Sequence, residues 1–193
     1  MTKPKVGVLA LQGAFAKHLE MLKTLGIEGV EVRTPTDLAQ CAGVIIPGGE
    51  STTILRQLWF IELFQALAEF AKTKPLFGTC AGLILMSREV LANDFMKPFG
   101  VLDVAVERNA FGRQVESFRT SVEVVLSSKP VKYPAVFIRA PRIRSCGPGV
   151  KVLATYEDEP ILVQEGLHMG ATFHPELTDN PLIHEYFVSL IKN

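Results

Sequence analysis

The chain has 193 residues, 48% hydrophobic and 21% charged, the make-up of a globular protein with a sizeable core. Its 20 basic and 20 acidic side chains cancel to a formal net charge of zero, so no basic stripe argues for nucleic acid or an anionic membrane. No stretch is long enough to span a bilayer, and the opening MTKPKVGVLALQG has too short an apolar run for a secretory signal. Cys41, Cys80 and Cys146 are an odd number without a C-x-x-C pair, which fits a reducing cytoplasm and speaks against a disulfide framework or a zinc site. No linker composition or repeat divides residues 1–193, so one domain is expected.

Lys5 to Leu11 (KVGVLAL) is a continuous apolar run ended by Gln12-Gly13, the pattern of a buried parallel strand. Ala14 to Leu25 follows with helical spacing, Leu19, Leu22 and Leu25 near one face and Gly26 as its stop. Val30 to Arg33 and Gly43 to Ile46 (GVII) complete a strand–helix–strand start, which implies right-handed crossovers and a parallel sheet. Pro47-Gly48-Gly49-Glu50-Ser51-Thr52-Thr53 comes directly after the third strand. In an open parallel sheet, ligands sit beyond the carboxyl ends of strands, and such glycines expose backbone N–H groups. Read alone, the loop is equally a glycine turn before a helix capped by Ser51 or Thr52. Thr53 to Lys72 is expected as one helix, with Leu55, Leu58, Trp59, Leu63, Leu67 and Phe70 as core.

Pro75 to Met86, PLFGTCAGLILM, is the centre of the sequence. An apolar strand ends in Gly78-Thr79-Cys80-Ala81-Gly82 and passes straight into a helix. Glycines two residues either side of Cys80 permit a very sharp turn, the G-x-S-x-G nucleophile elbow with sulfur in place of oxygen. A helix start favours the thiolate, which is the nucleophile. A buried structural cysteine is the bland alternative. Five residues do not decide between them.

The second half is richer in β. Val101 to Glu107, Thr120 to Leu126, Ala135 to Arg139, Val150 to Tyr156, Ile161 to Gln164 and Met169 to Phe173 are strand-like, so antiparallel pieces are expected on the sheet. Between them lies a polar loop, Arg108 to Gln114, with two arginines. Thr172-Phe173-His174-Pro175-Glu176 then supplies a histidine at a strand end and a carboxylate two residues on. In extended geometry those two side chains share a side, so Glu176 could hold His174 from behind. Nucleophile, base and orienting acid would then follow in order. Pro181 to Lys192 reads as a closing helix. His18, His168 and His184 carry no motif and read as surface histidines; Cys41 and Cys146 read as structural, Arg113 and Arg119 as solvated or inter-strand charges, and Phe111 as core or partner-facing.

PGGEST, GTCAGL and HPE, in that order, resemble the class I, or triad, glutamine amidotransferases. VERNAFGRQVESF and VFIRAP are similar to the branch of that family that serves pyridoxal 5′-phosphate synthases. The resemblance runs from Val6 to Thr178 with no departure at a motif position. It implies a flavodoxin-like α/β fold, with a mostly parallel central sheet flanked by helices. It also implies hydrolysis of L-glutamine to glutamate and ammonia, with the ammonia passed to a partner (β/α)8-barrel synthase subunit and no cofactor or metal of its own. Carried over, Cys80 resembles the nucleophile, His174 the base and Glu176 the orienting acid. Gly48, Gly49, Glu50, Arg108, Ile138 and Arg139 match glutamine-binding positions. The chemistry adds the backbone N–H groups of Gly49 and Ala81 as oxyanion donors. It pairs Arg108 with the substrate carboxylate and Glu50 with its ammonium. Two other readings stand beside this one, a freestanding cysteine hydrolase or peptidase on the same sheet and a catalytically silent α/β regulatory module. Ammonia release from glutamine, with and without a synthase subunit, separates the three.

Overall fold

A computed structural model describes residues 4–92, 97–108 and 117–191. Arg113, Phe111 and most of the segment from Leu91 to Lys97 lie outside the described residues. Among the described residues, nine strands form one sheet in the order β2-β1-β3-β4-β12-β11-β10-β7-β8. Its first part comprises β1 (Lys5–Leu9), β2 (Glu28–Val32), β3 (Gly43–Ile46), β4 (Leu76–Thr79) and β12 (His168–Ala171), all parallel. Its second part, β11 (Glu159–Glu165), β10 (Lys151–Tyr156), β7 (Ser117–Val124) and β8 (Val131–Ile138), is antiparallel. The expected α/β fold, parallel first and antiparallel later, is present.

The side-chain pattern explains the division. In β3 and β4 every residue is buried, because helices cover both faces of the parallel part. Val44 and Ile46 enter one core, while Ile45 between them enters the other. The first core is roofed by α3 (Ser51–Phe60), α4 (Leu63–Ala71) and α5 (Ala81–Met86), the second by α1 (Phe15–Thr24) and α6 (Leu182–Ile191). In β7, by contrast, buried and exposed residues mostly alternate.

Several elements depart from the sequence reading. The long helix expected over 53–72 is two, α3 and α4, broken where Glu62 turns left-handed at φ 58°. Trp59, expected in the core, is 54% exposed and stacks on Phe64, which stacks in turn on Phe99. A short α2 (Pro35–Ala39) appears unannounced, held by a capping box between Thr34 and Asp37. Two unexpected strands, β5 (Ser87–Val90) and β9 (Arg142–Cys146), flank β6 (Leu102–Glu107) in a separate three-stranded sheet. Part of the β-rich half is therefore not added to the main sheet.

The elbow is set by close packing. A Cβ on Gly82 would run into the carbonyl of Ile46, and one on Gly78 would stand 2.5 Å from the carbonyl carbon of Gly82. Neither backbone atom can swing away as a side chain could. Gly82→Ala should therefore destabilise the protein by about 1–3 kcal/mol or more, the usual cost of overpacking, as read from urea unfolding.

Candidate active site

Cys80 sits where β4 becomes α5, at φ 49° and ψ −104°, a conformation rare for a residue with a side chain. Its N–H donates to the carbonyl of Ala171, 2.8 Å away on β12, which pins the turn to the neighbouring strand. The N–H of Ala81, the first residue of α5, has no acceptor within its own helix.

His174 comes three residues after the end of β12. Parallel pairing of Ala171 with Thr79 brings the ends of β12 and β4 together, and the His174 N–H donates to Val136 O of β8 at 2.8 Å. The predicted contact with Glu176 is made: Nδ1 and Oε1 lie 2.7 Å apart. The expected route to it was wrong. Pro175–Leu177 is a 3-10 turn, so the carboxylate curls back beneath the ring instead of sharing an extended face. Tyr133 steadies this turn through hydrogen bonds with Thr178 Oγ1 and Asn180 O, both 3.1 Å. Burial disfavours the His174 imidazolium, but interaction with Cys80 and with the Glu176 carboxylate outweighs burial and raises the pKa to about 10.

Gly48 is the wedge that lets these parts meet. A Cβ there would stand 2.5 Å from His174 Cε1 and 3.4 Å from Cys80 Cβ. A cavity of about 310 Å³ opens in front, reached by Gly48, Gly49, Glu50, Cys80, Arg108, Ile138, Arg139 and His174. Every expected substrate-binding position thus faces one space. Ala81 does not line it, and the Glu176 side chain is fully buried behind His174.

Glu50 is more heavily engaged than its sequence reading allowed. It, not Ser51 or Thr52, caps α3, accepting from the N–H groups of Thr52 at 3.1 Å and Thr53 at 2.6 Å. It also accepts from Thr53 Oγ1 at 2.7 Å and from Arg108 Nη2 at 3.2 Å. Burial works against its charge, but the bonds from Thr53 and Thr52 prevail and hold its pKa below the usual carboxylate range. The Glu50 N–H itself donates to Gln12 Oε1 at 3.1 Å, tying the end of β1 to this loop.

Two histidines overturn their surface assignment. His18 and His184 are completely buried, and His168 is partly buried. His18 Nδ1 lies 2.8 Å from His184 Nε2, and His18 Nε2 lies 3.5 Å from Glu176 Oε2. Spacing held the signal: His18 precedes buried Met21 and Leu22 by three and four residues, and His184 precedes Phe187 and Val188 likewise.

A cysteine at a strand–helix elbow and a histidine–carboxylate pair thus meet on the carboxyl edge of the sheet of an α/β protein. The chain belongs to the SNO glutamine amidotransferase family, whose profile matches residues 8–193. It is 47% identical to the pyridoxal 5′-phosphate synthase subunit PdxT of Kosmotoga olearia, across 97% of both chains. It is 49% identical to the PdxT of Solibacter usitatus, across 96% of this chain and 98% of that one. A crystal structure of a glutamine amidotransferase at 46% identity matches with a TM-score of 0.91, covering 97% of this chain and 99% of the other.

The raised His174 pKa carries a stability consequence. A group that binds its proton more tightly folded than unfolded stabilises the fold fully below its unfolded pKa and loses that contribution as pH rises through the folded one. For His174 the window runs from 6.5 to about 10. Unfolding free energy from urea titrations should decline across it, and His174→Asn should flatten the decline.

Proposed function

We propose that this chain is a glutaminase domain that hydrolyses L-glutamine and hands the ammonia to a (β/α)8-barrel pyridoxal 5′-phosphate synthase subunit in the cytoplasm. The observation that carries the reading is the 2.7 Å His174–Glu176 contact placed beside Cys80 at a cavity. Family membership and the PdxT relatives supply the substrate and the partner.

His174 holds the proton of Cys80, and the thiolate attacks the side-chain amide carbon of glutamine. The carbonyl oxygen becomes an oxyanion facing the N–H groups of Gly49 and Ala81; one such donor is typically worth ~3 kcal/mol. The C–N bond breaks as His174 gives its proton to the nitrogen, so ammonia leaves and a glutamyl thioester remains. Water, losing a proton to His174, attacks the thioester carbon. The C–S bond then breaks, glutamate departs, and the proton returns to the Cys80–His174 pair. Glu176 keeps the imidazole oriented throughout. Arg108 takes the substrate carboxylate with guanidinium N–H groups beyond those given to Glu50 and Thr52. Glu50, with its lone pairs already engaged, attracts the substrate ammonium by its charge and holds Arg108 in place. Ile138 and Arg139 close the far wall.

A glutamine-like electrophile should label one cysteine. Burial pushes the Cys41 thiol up to about 11 and raises Cys146 as well, so both are poor competitors at neutral pH. Peptide mapping is expected to place the adduct on Cys80, and Cys80→Ala to abolish both labelling and ammonia release. An adduct on Cys41 or Cys146 would refute the assignment.

Control by the partner is part of the same reading. Gln12-Gly13 follows β1 on the edge where Gly48 lies, and Gly13 adopts φ 84°. Docking of the synthase there reorients the Gln12-Gly13 peptide and completes the oxyanion site, so synthase should raise kcat more than it lowers KM. Any side chain on Gly13 would press on the Gly48 carbonyl. Gly13→Val should blunt the rise in steady-state ammonia production, with Cys80 labelling as the control for an intact nucleophile. Full activity of the isolated wild-type chain, unchanged by synthase, would end this part of the reading.

A further inference from the structure

Behind the candidate triad lies a polar chain that no step above uses. Glu176 spends Oε1 on His174, while its Oε2 is buried with no hydrogen-bond partner of good geometry. A buried carboxylate oxygen left bare is costly. His18 of α1 brings Nε2 to within 3.5 Å of it, and the same nitrogen is hydrogen-bonded to Oγ1 of Thr79, the residue before Cys80, at 3.4 Å. On the other side of the ring, His18 Nδ1 meets His184 Nε2 of α6 at 2.8 Å.

The protons can be assigned by elimination. Burial, reinforced at His18 by the charges of His184 and His174, holds its pKa well below the ordinary histidine value. Burial alone brings His184 to about 3. Both rings are therefore neutral, each with one N–H, and a single proton lies between them. If His18 carried it on Nδ1, its Nε2 could accept from the Thr79 hydroxyl, but Glu176 Oε2 would be left without a donor. His184 would then hold its N–H on Nδ1, which is buried without a partner. With the proton on His184 Nε2 instead, His18 Nδ1 accepts and His18 Nε2–H turns toward Glu176. Only the His184 Nδ1 lone pair is then unused, a smaller fault than an orphaned N–H.

We propose that His18 is a positioning residue for the glutaminase triad: its Nε2–H holds Glu176 Oε2, so that Oε1 is aimed at His174, and His184 fixes the His18 tautomer that makes this possible. The inference rests on the glutaminase reading. The titratable groups around the network are Cys80 on the elbow, His174 and Glu176 after β12, His184 on α6 and Tyr133 on β8. Lys17 and Glu20, the charged residues nearest His18 on α1, are exposed and pair with each other.

The test is glutamine hydrolysis by the chain together with its synthase subunit. His18→Leu should lower kcat about ten- to a hundredfold, the worth of one hydrogen bond to a charged group, with KM little changed. A carboxylate stripped of a donor is more easily protonated, so the acid limb of the kcat profile should move to higher pH. Loss of folded protein alone would not move it. His18→Gln keeps an N–H near the Nε2 position and should restore kcat to within a few-fold of the parent. Nitrogen-15 spectra of the unaltered protein provide a reading that needs neither turnover nor a folded variant: His18 should be the Nε2–H tautomer. A His18 Nδ1–H tautomer, or a His18→Leu variant with parental kcat and acid limb, overturns the proposal. Absence of Cys80-dependent hydrolysis in the unaltered complex refutes the glutaminase reading itself, and with it this inference, whatever the spectra show.

Discussion

The pairing of β12 with β4, Met169 against Phe77, Gly170 against Gly78 and Ala171 against Thr79, determines where everything else at the site falls. These strands run parallel, so both chains leave the sheet on the same edge, one into Cys80 and the other toward His174. The Cys80 N–H bond to Ala171 O adds a fastening after the ladder proper has ended. Were β12 to slip by a single residue, its side chains would exchange faces and His174 would point away from the elbow. β3 on the other side of β4 delivers the Gly48-Gly49 loop to the same place, and β1 beyond it delivers Gln12-Gly13.

Close packing of backbone then takes over from the sheet. Three glycines at the site are held by what a Cβ would strike: Gly82 by the Ile46 carbonyl, Gly48 by His174 and Cys80, Gly13 by the Gly48 carbonyl. They form a connected sequence from the elbow through the loop to the end of β1. A displacement after β1 reaches the Cys80–His174 pair through contacts that have little slack.

What could be read from the chain beforehand follows the range of the forces involved. The elbow, the Gly-Gly loop and the His174–Glu176 pair are legible because each depends on residues within a few positions of one another. β3 and β4 announce themselves as unbroken apolar runs because both their faces are covered. β5 and β9 do not, since each is a short strand at the side of a small sheet and carries arginines or glutamate among its residues. The break at Glu62 hides inside a sequence of good helix formers, with neither glycine nor proline to mark it. Ser51 and Thr52 are strong capping types, yet Glu50 takes the cap, and Arg108, brought in from β6, shares its carboxylate. His18 and His184 are 166 positions apart, and nothing local tells a reader that they touch. Their helical spacing identifies the face they occupy but not what waits beneath it.

The sheet order has a further consequence for how the protein comes into being. β12 is the last strand among the described residues, yet it lies in the interior of the sheet, between β4 and β11. During synthesis Cys80 leaves the ribosome more than ninety residues before His174. The gap beside β4 stays open until nearly the whole chain exists. A chain that stops short of His174 cannot assemble the Cys80–His174 pair. The parallel pairing that closes the gap joins distant parts of the chain, the kind of contact that forms late and slowly. The meeting of Cys80 and His174 thus waits on the closing of the sheet at β12.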